Sequence, residues 1–463
     1  MLLTSKLNSL PLVARIPAYF FVGVLILVFL YGIGRPIQLW LGTLYTGNRV
    51  PYLQMPSPYA MTVRWQTPKP ERGIIHYGLE PGKFTQTAQE NQANEVHELR
   101  LTGLQPGTKY YYSIGNSTSE HYSGTDYWFV TPQKPGIQNR VRFAVLGDPG
   151  YPSKNQNKSR DALVSWLQLN PREQSASIDM LVTTGDNAYR SGTNEQFEVG
   201  FFEPYEVFLR NVPIWPVYGN HDARRRTFFE VFSLPTAAES GGVPSGTEHY
   251  YSFNYNLVHF VILDTEESDI SNDSTMLEWL RRDLAANQQP WTIAVFHHPP
   301  YTKGSHNSDD RSDSGGRMFT IRENILPILE QSGVDLVLSG HSHMYERSHL
   351  TDCHYSSSDQ LKTEMLKFPE DINRISVYHK NPKTKSHGGT IYAVLGSSSK
   401  LSGKVQNHPV MAVTKKLIGT MIIDIDNNKL DGYFISDHAT VEDRFQINKQ
   451  SLAEPFKTQC TKS

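Results

Sequence analysis

Five apolar runs in this chain each end in a short polar block that carries an oxygen or imidazole donor. The run 141–147 leads into Gly147-Asp148-Pro149-Gly150, and 180–185 into Gly185-Asp186-Asn187-Ala188-Tyr189. After 213–218 comes Gly219-Asn220-His221-Asp222; after 291–296, His297-His298-Pro299-Pro300-Tyr301; after 334–339, Gly340-His341-Ser342-His343. Runs of this length and composition predict buried strands, and ligands of α/β sheets gather beyond the carboxyl ends of strands. Each block alone has an ordinary explanation. Gly-Asp after a strand is a common turn or helix cap, and paired histidines fit a surface turn. Coincidence is a poor account of five such blocks in one chain, all at predicted strand ends.

The surrounding pattern predicts two kinds of domain. Between 51 and about 135, short alternating runs (61–65, 73–77, 95–101, 109–113 and 127–130) are separated by turn residues, as in a small β-sandwich. From 141 onward, strands alternate with helical stretches such as 157–169 and 274–286, which predicts an α/β layered domain. Further strands are expected at 258–264, 390–395 and 419–425, and 351–388 reads as a long irregular excursion near the site. The expected fold class is therefore α+β and multidomain, with 1–44 preceding a sandwich at 45–135 and the α/β domain at 136–463. A net charge of −2 over 463 residues leaves no basic footprint for nucleic acid. The oligomeric state is not legible.

Residues 18–34 form an uncharged apolar run flanked by Lys6, Arg15 and Arg35. It is short for a membrane span and long for the apolar core of a cleavable signal. The expectation is an uncleaved signal anchor or a cleaved signal, and either puts residues 45 onward outside the cytoplasm. The two cysteines, Cys353 and Cys460, lack zinc-site spacing. One disulfide and two free thiols are both compatible with the sequence.

Mixed carboxylate, amide and imidazole donors suit hard to borderline ions such as Fe, Mn and Zn. Two such ions about 3.5–4 Å apart can clamp the oxygens of a displacement at phosphorus. At these residues the chain resembles the metallophosphoesterases, and more narrowly the purple acid phosphatases. Tyr189, three residues after Asp186, and the absence of histidine from the first block mark the narrower family. The stretch Leu101-Thr-Gly-Leu-Gln-Pro-Gly-Thr-Lys-Tyr-Tyr-Tyr112 resembles a fibronectin-type-III signature, as expected of that family's N-terminal domain.

The resemblance implies that Asp148, Asp186, Tyr189 and His343 hold Fe(III). Asp186 would bridge to a second divalent ion (Zn, Mn or Fe) held by Asn220, His297 and His341. The pattern His-x-Pro-x-Tyr, with His306 nine residues on, favours His297 as the ligand and leaves His298 as an alternative. His221 would contact the phosphoryl group. His306 would bind phosphate or protonate the leaving group, unless it is an ordinary surface histidine. Glu346 and Arg347 read as a structural ion pair. The implied activity is acid phosphatase action on small phosphomonoesters by attack of a metal-bound hydroxide. A phosphodiesterase or nucleotide hydrolase on the same centre, and a membrane-tethered binding protein without catalysis, are the alternatives.

Overall fold

The computed structural model describes residues 47–134, 137, 140–172, 177–384, 386–450 and 460. The expected anchor or signal at 18–34 lies outside the described residues. Among the described residues no helix is long and apolar enough to cross a membrane.

The N-terminal part is a β-sandwich. One sheet orders Arg49–Ser57, Ala60–Glu71 and Asn94–Thr102, while the other is built on Ile74–Gly78 and Lys109–Gly115. Alternation sends Met61, Val63 and Trp65 inward to meet Ile75, Tyr112 and Phe129 from the facing sheet. A buried ion pair, Arg49 Nε to Glu198 Oε2 at 2.8 Å, docks the sandwich on the following domain. Arg49 also donates to Asn194 Oδ1 at 2.6 Å, and the Tyr112 hydroxyl donates to the Arg210 carbonyl at 2.7 Å. The sandwich is thus part of the scaffold behind the site.

The second domain stacks two mixed sheets. The first orders Ile214–Trp215, Met180–Thr183, Val141–Leu146, Gly419–Asp426, Lys429–Ser436, Val441–Lys449, Ile375–Lys380 and Glu370–Ile372. The second orders Tyr251–Tyr255, Val258–Leu263, Trp291–Phe296, Leu336–Ser339, Ile391–Val394, Tyr345–Ser348 and Met411–Lys415. The five runs that carry the polar blocks pair in parallel within their sheets, so their carboxyl ends converge on one edge. Phe143 meets Phe260 edge-on at 5.2 Å between the sheets, one contact in a continuous apolar core. The helices Lys154–Leu169 and Thr275–Ala286 open on the N-caps Ser153 and Ser274, which accept from Gln156 N and Leu277 N.

Two expectations are corrected. The stretch 351–388 is not simply irregular, because Ile375–Lys380 pairs in parallel with Val441–Lys449 and extends the first sheet. Glu346 and Arg347 do not pair with each other. As neighbours on the strand Tyr345–Ser348 they face opposite ways: Arg347 grips Asp443 at 2.6 and 3.1 Å, while Glu346 accepts from Thr302 and, at 3.2 Å, from Lys303 N. Cys353 and Cys460 form a disulfide across 107 residues, so of the two open readings the thiols are joined.

Candidate metal centre

Tight turns put the donors at the strand ends. Gly185 has φ +96°, and a Cβ there would lie 2.4 Å from His297 Nδ1. A Cβ on Gly340 would lie 2.1 Å from Asp148 Oδ1. Asp148, Asp186 and His341 themselves adopt φ of 50°, 54° and 64°. That left-handed region is costly for side chains with a Cβ, by about 1–3 kcal/mol each, and such outliers cluster at functional sites.

Two donor sets result, and they share one residue. In the first, the Tyr189 hydroxyl lies 2.7 Å from Asp186 Oδ2, 3.3 Å from Asp148 Oδ2 and 3.4 Å from His343 Nε2. His343 Nε2 is itself 3.3 Å from Asp148 Oδ2. In the second, His297 Nε2 lies 2.9 Å from Asn220 Oδ1 and 3.5 Å from Asp186 Oδ1. His341 Nδ1 lies 3.1 Å from Asn220 Oδ1 and 3.3 Å from His297 Nε2. Asp186 thus turns one oxygen to each set. The pair His341 and His343, only two residues apart, is divided between the sets.

The other nitrogen of several of these imidazoles is anchored. His297 Nδ1 bonds the Thr184 carbonyl at 2.8 Å, His343 Nδ1 bonds Ser402 Oγ at 2.7 Å, and His341 Nε2 bonds Ser314 Oγ at 2.7 Å. Anchors of this kind orient imidazole ligands. His298 faces elsewhere: its Nδ1 meets Thr265 Oγ1 at 3.0 Å and its Nε2 lies 3.5 Å from Glu266. Burial and its neighbour His297 hold its pKa well below the usual value.

His221 packs on the Tyr189 ring at 4.3 Å, with Nδ1 on the Arg190 carbonyl at 2.8 Å and Nε2 3.9 Å from Asp186. Burial lowers its pKa against the pull of Asp186. His306 stacks on His341 at 4.0 Å, with Nδ1 fixed 2.8 Å from Asp313 Oδ1. It stands over the second donor set rather than on a remote surface.

Three participants were not assigned from the sequence. Asp222 lay inside the third block but was given no role. It accepts from Asn187 N and Nδ2, both at 2.9 Å, from Ala188 N at 3.1 Å and from Gly219 N at 3.1 Å, so it ties the second block to the third. Burial first, then Asp186, pushes its pKa up to about 8. Asp313 holds His306. Lys400 stands with its Nζ 3.8 Å above the Tyr189 ring; it follows a serine tract whose sequence gave no sign of the site.

The donor chemistry fits metal ions. Asp148 and Asp186 are buried together, and burial with both carboxylates raises the Tyr189 pKa well above the usual value. Cations are what would reverse that trend and offset the crowded negative charge. Ligand atoms of Asp148, Asp186 and His297 lie within 4.8 Å of one another, as do those of His306, Asp313 and His341.

Comparison with known proteins agrees with this architecture. The family model for the purple acid phosphatase N-terminal domain matches residues 50–131, and the calcineurin-like phosphoesterase model matches 141–345. The chain thus carries a purple acid phosphatase N-terminal domain followed by a calcineurin-like phosphoesterase domain. Purple acid phosphatase 15 of Arabidopsis thaliana is 28% identical over 282 residues, covering 55% of this chain and 49% of that protein. Acid phosphatase type 7 of Danio rerio is 26% identical over 325 residues, covering 62% of this chain and 68% of its own length. The chain thus spans about half the length of the first of these relatives. A purple acid phosphatase from yellow lupin (Lupinus luteus) seeds shares the fold, with a TM-score of 0.67 at 18% identity over 89% of this chain and 77% of that one.

Proposed function

We propose that the protein is a dinuclear metal-dependent acid phosphatase that hydrolyses phosphomonoesters. The observation that carries this reading is Asp186, whose two oxygens face two separate donor sets. In it Asp148, Asp186, Tyr189 and His343 would hold Fe(III), and Asp186, Asn220, His297 and His341 would hold a second divalent ion, Zn, Mn or Fe. Bound there, the ions would supply the nucleophile and neutralise charge developing on the phosphoryl oxygens.

The remaining steps fall to the chain's own residues. With Nδ1 engaged by Arg190, His221 presents Nε2 to a phosphoryl oxygen. With Nδ1 engaged by Asp313, His306 keeps Nε2 for the leaving oxygen, to which it delivers a proton. His297 is the ligand of its pair, since His298 spends its nitrogens on Thr265 and Glu266. The division at 45–135 and 136–463 is part of the same reading, supported by the two family-model matches. An exported location is supported by the disulfide, since such bonds persist in oxidising compartments. Membrane anchoring through 18–34 stays a proposal resting on the sequence alone.

The deciding assay compares p-nitrophenyl phosphate with bis-p-nitrophenyl phosphate. The monoester should turn over faster; a faster diester would give the centre to a phosphodiesterase. The colour and metal content of His343→Ala and His341→Ala check the ligand division. His343→Ala should lose the Fe–phenolate band, whereas His341→Ala should keep the band and lose the second ion. Identical losses would overturn the division.

A further inference from the structure

The loop that carries His306 closes on itself at a neck. Thr302 N donates to Ser308 Oγ at 3.0 Å, and Ser308 N donates back to the Thr302 carbonyl at 3.0 Å, with His306 between them in the chain. Asp313 fixes the rotation of the imidazole through Nδ1. The neck itself is gripped by a buried side chain from the helix Arg317–Asn324. Arg322 Nε donates to the Pro300 carbonyl at 3.0 Å on one side of the neck, and Nη2 donates to the Ser308 carbonyl at 2.8 Å on the other. Its Nη1 donates to Asp309 Oδ1 at 2.8 Å and to the Ser356 carbonyl at 2.6 Å.

Taking a guanidinium out of water is costly unless its bonds are well placed, and here one carboxylate and three carbonyls receive it. Because the group is a rigid planar fork, it fixes the spacing of all its acceptors at once, which a lysine cannot do. Asp309 extends the grip: Ser358 Oγ donates to its Oδ2 at 2.5 Å, and Lys303 Nζ, from inside the loop, lies 3.1 Å from the same oxygen. The segment 356–358 is in turn held by the Cys353–Cys460 disulfide a few residues back. Among the described residues none of the Arg322 hydrogen bonds reaches either donor set. His297, the donor nearest this loop in sequence, keeps its own anchor on the Thr184 carbonyl. Arg322 therefore acts on His306 and not on the donors around it.

We propose that Arg322 is a positioning residue for proton transfer to the leaving oxygen, holding the neck so that His306 Nε2 keeps its reach. This rests on the phosphatase reading for the part His306 plays. As the water-derived oxygen bonds to phosphorus, the electron pair of the breaking P–O bond passes to the leaving oxygen, which takes the Nε2 proton. An alkoxide leaving group needs that proton, whereas p-nitrophenolate departs without it. A shift of about 1 Å in such a group costs about a hundredfold in rate.

The test compares two esters in the metal-loaded full chain, glycerol 2-phosphate and p-nitrophenyl phosphate. Arg322→Lys keeps the charge and loses the fork. It should lower kcat for the glycerol ester about a hundredfold and leave the aryl ester within about threefold, with metal content unchanged. His306→Gln should show the same selectivity. If Arg322→Lys melts early, Asp309→Asn, which leaves the arginine its three carbonyls, carries the same prediction. Equal losses on both esters, or none on either, would overturn the proposal. Amide hydrogen exchange reads the loop without turnover: Arg322→Lys should speed exchange over 302–313 and leave the strand Val258–Leu263 unchanged. Unchanged exchange in the loop would overturn the proposal as well. A loosened loop, in a protein whose wild type cleaves neither ester, would uphold the clamp and sink the phosphatase reading.

Discussion

The strand Leu336–Ser339 has buried charge at both ends, and the two ends are handled in opposite ways. At its start Asp335 is 1% exposed and meets Lys380 at 2.7 Å and Lys449 at 2.8 Å, with Thr292 N donating at 3.0 Å. At its finish His341 N donates to the buried Asp148 at 3.0 Å. Asp148 with its buried neighbour Asp186 is met by backbone N–H groups, histidines and a tyrosine. Burial disfavours charge in both places, so what differs is the source of compensation. At the amino end the chain supplies its own counterions, and the charge serves the fold. At the carboxyl end it leaves buried carboxyl groups and imidazoles in strained turns, an arrangement completed by something from outside the chain.

Asp186→Ala should break this contrast most sharply. Removing the shared carboxylate should lower activity by about a thousandfold, as loss of a central electrostatic group does, and drop bound metal below one ion per chain. Chelation should lower the melting temperature of the wild type but not of Asp186→Ala, since the variant has shed one of the anions that the ions offset. If the variant retained two ions and most of its activity, the two donor sets would not depend on Asp186.

Lys380→Met probes the other end. Leaving Asp335 with one partner should cost about 3–5 kcal/mol of stability, the usual penalty for breaking a buried pair, read by denaturant unfolding. Metal content should stay the same. A loss of metal with stability intact would mean that the two ends are coupled and the comparison fails.

What the sequence made legible divides along the same line. The five strand ends could be read because each donor sits next to its own apolar run, a relation of a few residues. The partners that hold them could not. Asp313 reaches His306 across seven residues, Ser402 reaches His343 across 59, and Asp443 reaches Arg347 across 96. The strand Val441–Lys449 also escaped notice because only Phe445 and Ile447 on it are buried, too few for alternation to register. Its partner Ile375–Lys380 was hidden inside a polar stretch for the same reason. Pairing between distant segments is set by topology, and a run of residues does not announce it.

Glu346 lies between the two cases and yields the smallest effect. It is buried directly beneath the loop that carries His306, takes hydrogen bonds from Thr302 and Lys303 N, and has no cationic partner among the described residues. Burial, only partly offset by Thr302 and Lys303, pushes its pKa from 4.5 up to about 7. The folded state therefore binds this proton more tightly than the unfolded chain. Its contribution is fully present below pH 4.5 and is lost as pH rises toward 7, a change of about 3 kcal/mol at most. Glu346→Gln keeps the shape and removes the titration. Unfolding measured at pH 5 and pH 8 should show the wild type losing stability relative to the variant at the higher pH. Parallel curves would mean that Glu346 is charged at both pH values and that an undetected cation compensates it, which would move it to the self-sufficient class of Asp335. The expected slope makes it an acid held neutral by its surroundings, so that the floor beneath His306 is firmest in acid.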